Sequence, residues 1–162
     1  MKILLVLNKT LPRGDKIKFD IGYYNFYIPL LEMGHEVYFY DTINPTEKDF
    51  NKVVNTFQPN FIFCCVCGDK NVAPFEPLEQ IKEITKKGNI KTFNWFCDDT
   101  WRFDSFSQYV CHYFTVCSTP EYSFLNKFIQ NGYKNIILGQ WHCNEELYFD
   151  NSKKYDNLKL FF

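Results

Sequence analysis

Short apolar runs alternate with longer polar or amphipathic stretches from one end of the chain to the other. The first run, residues 2–7, is continuously apolar, which is typical of a strand covered on both faces. Further runs that predict strands lie at 35–41, 59–66, 90–97, 113–118 and 134–140. The pattern therefore predicts about six buried strands.

Amphipathic helices are predicted in the connections between these strands. The clearest is 76–88, in which Leu78 and Ile81 share one helical face and Gly88 favours a left-handed end. Pro29 predicts a kink or a late start for the helix in the first connection. Helices are predicted at 21–34, 44–54, 76–88, 101–111 and 119–132.

Strands separated by helical crossovers form parallel sheets, because parallel neighbours need a long connection. We therefore expect an α/β fold, namely a doubly wound, Rossmann-like parallel sheet of about six strands in a three-layer α/β/α arrangement. With the strand order 3-2-1-4-5-6, a ligand crevice lies outside the carboxyl ends of the first and fourth strands. The segments that follow these strands, 8–20 and 98–104, are then expected to face each other.

The apolar and polar pattern also predicts where a domain ends. Residues 1–150 are expected to form one Rossmann-like domain, since they carry all the predicted strands. Residues 151–162 begin with a polar stretch and end in an apolar run, which predicts a linker and the first strand of a second domain. A further strand or helix that packs on the same sheet is the alternative.

Charge and composition narrow the classes of partner. The chain has 18 Lys and Arg residues against 19 Asp and Glu residues, and this balance provides no basic surface for nucleic acids. No apolar run approaches the roughly 20 residues that cross a bilayer, so no membrane span is expected. Several of the seven cysteines lie inside apolar runs, which favours buried free thiols and a reducing, cytoplasmic location.

The segment after the first strand has a single glycine, Gly14, with Arg13 and Lys16 beside it. A tight turn at this glycine would bring both cations near a diphosphate, whereas the alternative is a flexible, solvated loop. The segment has neither the G-x-G-x-x-G fingerprint of dinucleotide sites nor a P-loop. We therefore expect no cofactor.

The sequence CDDTWRFD, residues 97–104, places two carboxylates directly after the fourth predicted strand. Three interpretations stay open for Asp98 and Asp99. Either residue caps the following helix, or one acts as a general base with a pKa raised by its neighbour, or both bind sugar hydroxyls against the face of Trp101. Arg102 is expected to pair with Asp99 or with a substrate phosphate. No further ligand cluster accompanies the carboxylates, so no metal site is predicted.

Two further candidates follow the sixth predicted strand, at the same carboxyl edge of the sheet. His142 is a candidate proton carrier near neutral pH, and Glu145 is a candidate substrate ligand. An ordinary surface loop is the alternative for both residues.

Two parts of the sequence resemble a known family. MKILLVLN followed by IGYYNFYIPLLEMGHEVYFYD resembles the start of GT-B glycosyltransferases, in which a first strand and helix precede a GHEV strand. NWFCDDTWRFD together with IILGQWHCNEELYFD resembles the spore-maturation, CgeB-like group of these enzymes. The likeness covers nearly the whole chain.

This resemblance implies a function for the chain. It implies the acceptor-side domain of a glycosyltransferase, with a glycan or another hydroxyl compound as acceptor and with Asp98 or Asp99 as catalytic base. The nucleotide-sugar donor would be bound mainly by a C-terminal domain that this chain lacks. The glycine-rich first loop of many members is reduced here to Gly14. The alternative is a stand-alone Rossmann-like module that binds a small molecule or a protein without catalysis.

Overall fold

The structure is a computed structural model that describes the backbone of residues 1–13 and 16–140 and the side chains of 1–10 and 19–140. Its strands are β1 Lys2–Leu7, β2 Thr10–Arg13, β3 Lys16–Phe19, β4 Glu36–Asp41, β5 Phe61–Cys64, β6 Lys91–Trp95, β7 Val116–Thr119 and β8 Ile136–Leu138. Its α-helices are α1 Ile28–Glu32, α2 Phe50–Phe57, α3 Leu78–Lys87, α4 Asp99–Arg102, α5 Gln108–Val110 and α6 Tyr122–Gln130. Short π-helical turns, Tyr23–Tyr27 and Phe103–Ser107, precede α1 and follow α4.

Six of the strands form one parallel sheet in the order β4-β1-β5-β6-β7-β8, which confirms the predicted fold class. The predicted strand order is wrong, however, because β5 pairs directly with β1, with Leu5 opposite Phe63. Counted within this sheet, the order is 2-1-3-4-5-6 rather than 3-2-1-4-5-6. The winding direction therefore reverses between β1 and β5, and β5 separates the first strand from the fourth.

One face of the sheet carries the main hydrophobic core. Leu4 and Val6 of β1 and Ile62 of β5 point to this face, and each is completely buried. Helices α2, α3 and α6 cover it with core residues that include Phe50, Val53, Ile81 and Phe128. Burial of these apolar side chains supplies the main driving force for the fold.

The opposite face is covered by the turn and helix that lead up to β4. Phe26 packs on Phe63 of β5 and on Trp95 of β6, with ring centroids 4.9 Å and 5.2 Å apart. Tyr27 packs in the same way on Phe39, at 5.3 Å. Helical segments therefore lie on both faces of the sheet, as a three-layer fold requires.

The segment 8–20 differs from the predicted loop. Strands β2 and β3 within it pair as an antiparallel hairpin, with Thr10 opposite Phe19 and Arg13 opposite Lys16. The backbone N–H of Asp20 donates to the carbonyl of Lys9 at 2.8 Å and closes the base of this hairpin. The two ends of the hairpin therefore lie close together, just after the carboxyl end of β1.

Two further expectations concern membrane spans and the last residues of the chain. Among the described residues, none of the helices combines the length and the apolar character needed to cross a membrane. The linker and strand expected at 151–162 lie outside the described residues.

Candidate functional site

A cavity of about 250 Å³ opens at the carboxyl ends of β1, β5 and β6. This is the edge where parallel α/β sheets bind ligands, and the cavity lies at the reversal between β1 and β5. Its volume is slightly below the range of small-molecule sites, which span roughly 300–1,000 Å³. The lining residues that matter below are Asn8, Asp20, Gly22, Cys65, Asp98 and Arg102.

Asp98 lines this cavity together with Asn8, so the structure brings the two predicted segments to one crevice. The backbone carbonyl of Asp98 accepts from the N–H of Arg102 at 3.0 Å and starts helix α4. Within the described residues, its carboxylate makes no capping hydrogen bond to that helix. Asp98 is thus half-exposed at the cavity, and its carboxylate is not engaged in capping the helix.

Asp99 does not share this position, although the sequence suggested both residues as bases or hydroxyl ligands. Its exposed fraction is 0%, and it is the first residue of α4 rather than a cavity-lining residue. Neither carboxylate oxygen has a hydrogen-bond partner at ordinary geometry in the described part of the chain. The structure therefore places Asp98, and not Asp99, at the cavity.

Burial controls the charge of Asp99. Loss of solvent raises the pKa of this carboxyl, because an ionised group is poorly stabilised away from water. The nearby hydroxyls of Ser107 and Thr119 lower the pKa in part, and the carboxylates of Glu121 and Asp98 raise it. The predicted influence of the neighbouring aspartate on the pKa is present, but it is smaller than the influence of burial.

Arg102 forms part of the cavity wall and fixes the loop after β5. Its guanidinium donates a hydrogen bond from Nη1 to the backbone carbonyl of Cys67. The ring of Trp101 lies against the same guanidinium, with its centroid 4.3 Å from Cζ. No ion pair joins Arg102 to Asp99 among the described residues, and the alternative partner, a substrate phosphate, stays a prediction.

Trp101 lies outside the cavity. Its side chain is 63% exposed, and it borders a shallow depression on the other side of Arg102, beside Gly68. Its ring stacks on the guanidinium of Arg102 and does not line the cavity. The expected stacking wall for a sugar is therefore not provided by Trp101 in this structure.

Glu76 ties the loop after β5 from the opposite side. Its carboxylate accepts hydrogen bonds from the backbone N–H groups of Cys67, at 2.6 Å, and Gly68, at 2.8 Å. Burial raises the pKa of Glu76, and these two hydrogen bonds and the charge of Arg102 lower it. Glu76 was not among the candidate residues predicted from the sequence, and together with Arg102 it supports one wall of the cavity.

The loop after β1 is held by the last residue of β4, Asp41, and by the residue after it, Thr42. The hydroxyl of Thr42 donates to Oδ1 of Asn8 at 2.5 Å, and Oδ1 of Asp41 accepts from the backbone N–H of Lys9 at 3.1 Å. Thr42 is completely buried, so its contact with Asn8 is shielded from water. The position of Asn8 at the cavity is therefore fixed through the neighbouring strand.

Gly22 closes the inner end of the cavity. A Cβ atom at this position would overlap Cδ1 of Leu7, the last residue of β1, and both residues line the cavity. Glycine therefore permits the π-helical turn to approach the strand closely. Asp20 lies beside this contact, and its Oδ1 accepts from the N–H of Ile21 at 2.5 Å.

Several sequence candidates have no described side chain. The backbones of Arg13 and Lys16 pair across the hairpin, but their side chains, and all of Gly14, lie outside the described residues. His142 and Glu145 also lie outside them. In the described ranges 1–13 and 16–140, no group of three or more His, Cys, Asp or Glu side chains is arranged to hold a metal ion.

Comparison with known proteins adds no relative to these observations. No family model, no curated protein and no solved structure matches the chain. The site is therefore interpreted from its own geometry.

Proposed function

We propose that the cavity at the carboxyl ends of β1, β5 and β6 is the acceptor site of a glycosyltransferase of the GT-B type. Its ligand is a glycan or another hydroxyl compound. The observation that carries this proposal is the position of the Asp98 carboxylate, which lines the cavity and makes no capping hydrogen bond to α4 within the described residues. The resemblance of the segments around 21–41 and 94–104 to this family supports the same assignment.

The cavity offers groups that match hydroxyls. Carboxylates of Asp98 and Asp20 accept hydrogen bonds, the amide of Asn8 supplies both donor and acceptor capacity, and apolar side chains such as Phe26 form the rest of the wall. A mainly apolar cavity with a few placed polar groups is the usual form of a small-molecule site. A sugar has this mixture of apolar ring faces and hydroxyl edges.

The proposed reaction uses Asp98 as general base. The acceptor hydroxyl oxygen attacks the anomeric carbon of the nucleotide-sugar, the bond from that carbon to the diphosphate breaks, and Asp98 takes the hydroxyl proton. The nucleotide diphosphate leaves with the electron pair. The donor is bound mainly by a second domain, and the guanidinium of Arg102, which lines the cavity, is the proposed partner for its phosphates.

Six free thiols among the described residues support placing this activity in a reducing, cytoplasmic compartment. These cysteines lie both in the core and at the cavity, and none of them forms a disulfide.

Titration of the isotope-labelled chain tests the acceptor site directly. We expect glucose or maltose to shift the amide NMR signals of Gly22 and Cys97, and UDP-glucose to shift them less. The substitution Asp98→Asn should weaken sugar binding about tenfold to hundredfold, which is the loss of one hydrogen bond to a charged group.

Asp104→Asn is the matched control, because Asp104 follows the same helix but is exposed away from the cavity. Its sugar affinity should equal that of the wild type. Sugar binding that is unaffected by Asp98→Asn, or no sugar-dependent shift at the cavity, would overturn the acceptor site. Shifts produced by UDP-glucose and not by the sugars would favour a nucleotide-binding module instead.

A further inference from the structure

Two thiols meet in the wall of the cavity. Cys65 directly follows β5 and Cys97 follows β6, and these strands are neighbours in the sheet. Their Sγ atoms are 3.2 Å apart and share a hydrogen bond. Both residues line the cavity and are half-buried, so small solutes that enter the cavity reach them.

We infer that Cys65 and Cys97 form a redox-active dithiol, which a peroxide converts into a disulfide. One thiol attacks a peroxide oxygen, which gives a sulfenic acid and, from hydrogen peroxide, one water molecule. The second thiol then attacks the sulfenic sulfur, the S–S bond forms, and a second water molecule leaves. The two sulfur atoms lose two electrons in total, and hydrogen peroxide accepts them.

The geometry favours this pair over the other cysteines. A disulfide bond is about 2.05 Å long, so the two Sγ atoms need to approach by only about 1 Å. Cys67 also lines the cavity, but its Sγ faces the carbonyl of Asp69 at 4.0 Å. The other described cysteines, Cys64, Cys111 and Cys117, are buried in the core.

The reaction is expected to be slow at neutral pH. The hydrogen bond with Cys97 raises the pKa of Cys65, and burial raises it further, so Cys65 keeps its proton. The thiolate is the reactive form of cysteine. The pair therefore suits a response to sustained oxidant rather than rapid turnover, and this redox step is independent of the ligand that the cavity binds.

Peptide mapping identifies the bond. The reduced chain is incubated with hydrogen peroxide at about pH 8, where thiols ionise more readily, and free thiols are then alkylated. Trypsin separates residues 53–70, which contain Cys64, Cys65 and Cys67, from residues 92–102, which contain only Cys97. We expect these two peptides to be joined, with a mass two hydrogen atoms below their sum, and to separate again after reduction.

Variants assign the partner. Cys65→Ser and Cys97→Ser should each lose the joined peptides, whereas Cys67→Ser, the matched control in the same cavity, should retain them. Circular dichroism of each variant before oxidation shows whether it is folded, and either of the two serine variants suffices for the test. Joined peptides in Cys65→Ser, no joined peptides in the wild type, or only sulfinic and sulfonic products would overturn the assignment.

Discussion

The support that Glu76 gives to the loop after β5 can be measured. The substitution Glu76→Ala removes the acceptor for two backbone N–H groups, those of Cys67 and Gly68. The carbonyl of Cys67 keeps its hydrogen bond from Arg102. The change therefore releases the loop on one side only, and the protein should still fold.

The size of the effect follows from the two hydrogen bonds. A hydrogen bond to a charged group contributes about 1.5–3 kcal/mol to the free energy of unfolding. The bond from Cys67 is partly buried, so its full value is lost, whereas water replaces much of the exposed bond from Gly68. We expect Glu76→Ala to lower the free energy of unfolding by roughly 2–4 kcal/mol. Glu76→Gln, which keeps one acceptor oxygen, should lose about half as much.

Urea unfolding followed by circular dichroism measures this loss, with an unchanged slope against urea concentration. Glu79→Ala is the matched control, because Glu79 lies in the first turn of α3 and forms an exposed ion pair with Lys82. Solvent screens an exposed pair of this kind, so its loss should change the stability little. Equal stability of Glu76→Ala and Glu79→Ala, within about 0.5 kcal/mol, would refute the role assigned to Glu76.

Two further predictions concern buried residues. Burial raises the pKa of Asp99, so Asp99 stabilises the folded state below about pH 4, and this contribution is lost as the pH rises through the folded-state pKa. Urea titrations from about pH 3 to pH 8 should therefore show that Asp99→Asn becomes more stable relative to the wild type as the pH rises. A stability difference that does not change with pH would contradict this. Phe128 is completely buried and packs on Phe96 and Phe103, so Phe128→Ala should lower the unfolding free energy by about 3–5 kcal/mol. Calorimetry should show a fall in Tm of about 2–4 °C per kcal/mol, and a loss no larger than that of exposed Tyr122→Ala would rule out this packing.

The spacing of apolar residues and the positions of glycine and proline predicted most elements of the fold. The helix predicted at 76–88 is observed as Leu78–Lys87, and Gly88 has the left-handed conformation expected after it, with φ +77°. Pro29 lies in the first turn of α1, in agreement with the predicted late start. These features depend on local physics, because a backbone conformation or an apolar face is set by a few neighbouring residues.

Strand order could not be predicted in the same way. Every central strand of a parallel sheet is apolar on both faces, so the sequence of β5 does not show on which side of β1 it will pair. The start of one helix was also predicted incorrectly, because both Pro45 and Asp49 are residues that commonly precede or begin a helix. Helix α2 was predicted to begin near Pro45, but it begins at Phe50, after Asp49 accepts a capping hydrogen bond from the N–H of Lys52.

The acidic pair shows why part of the site was missed. Adjacent residues at the start of a helix point about 100° apart, so only one of Asp98 and Asp99 can face a given cavity. The sequence analysis left a shared role open, because the spacing does not reveal which of the two residues is buried. The proximity of Cys65 and Cys97 could not be predicted for another reason. Each lies at or near the end of an apolar run, and their proximity depends on the pairing of β5 with β6.

The close approach of Gly22 to Leu7 limits how this site can change. A larger residue at position 22 would meet the end of the Leu7 side chain, so Leu7 would have to move to make room for it. A search for variants with a different selectivity should therefore keep Gly22 and vary the other residues that line the cavity first.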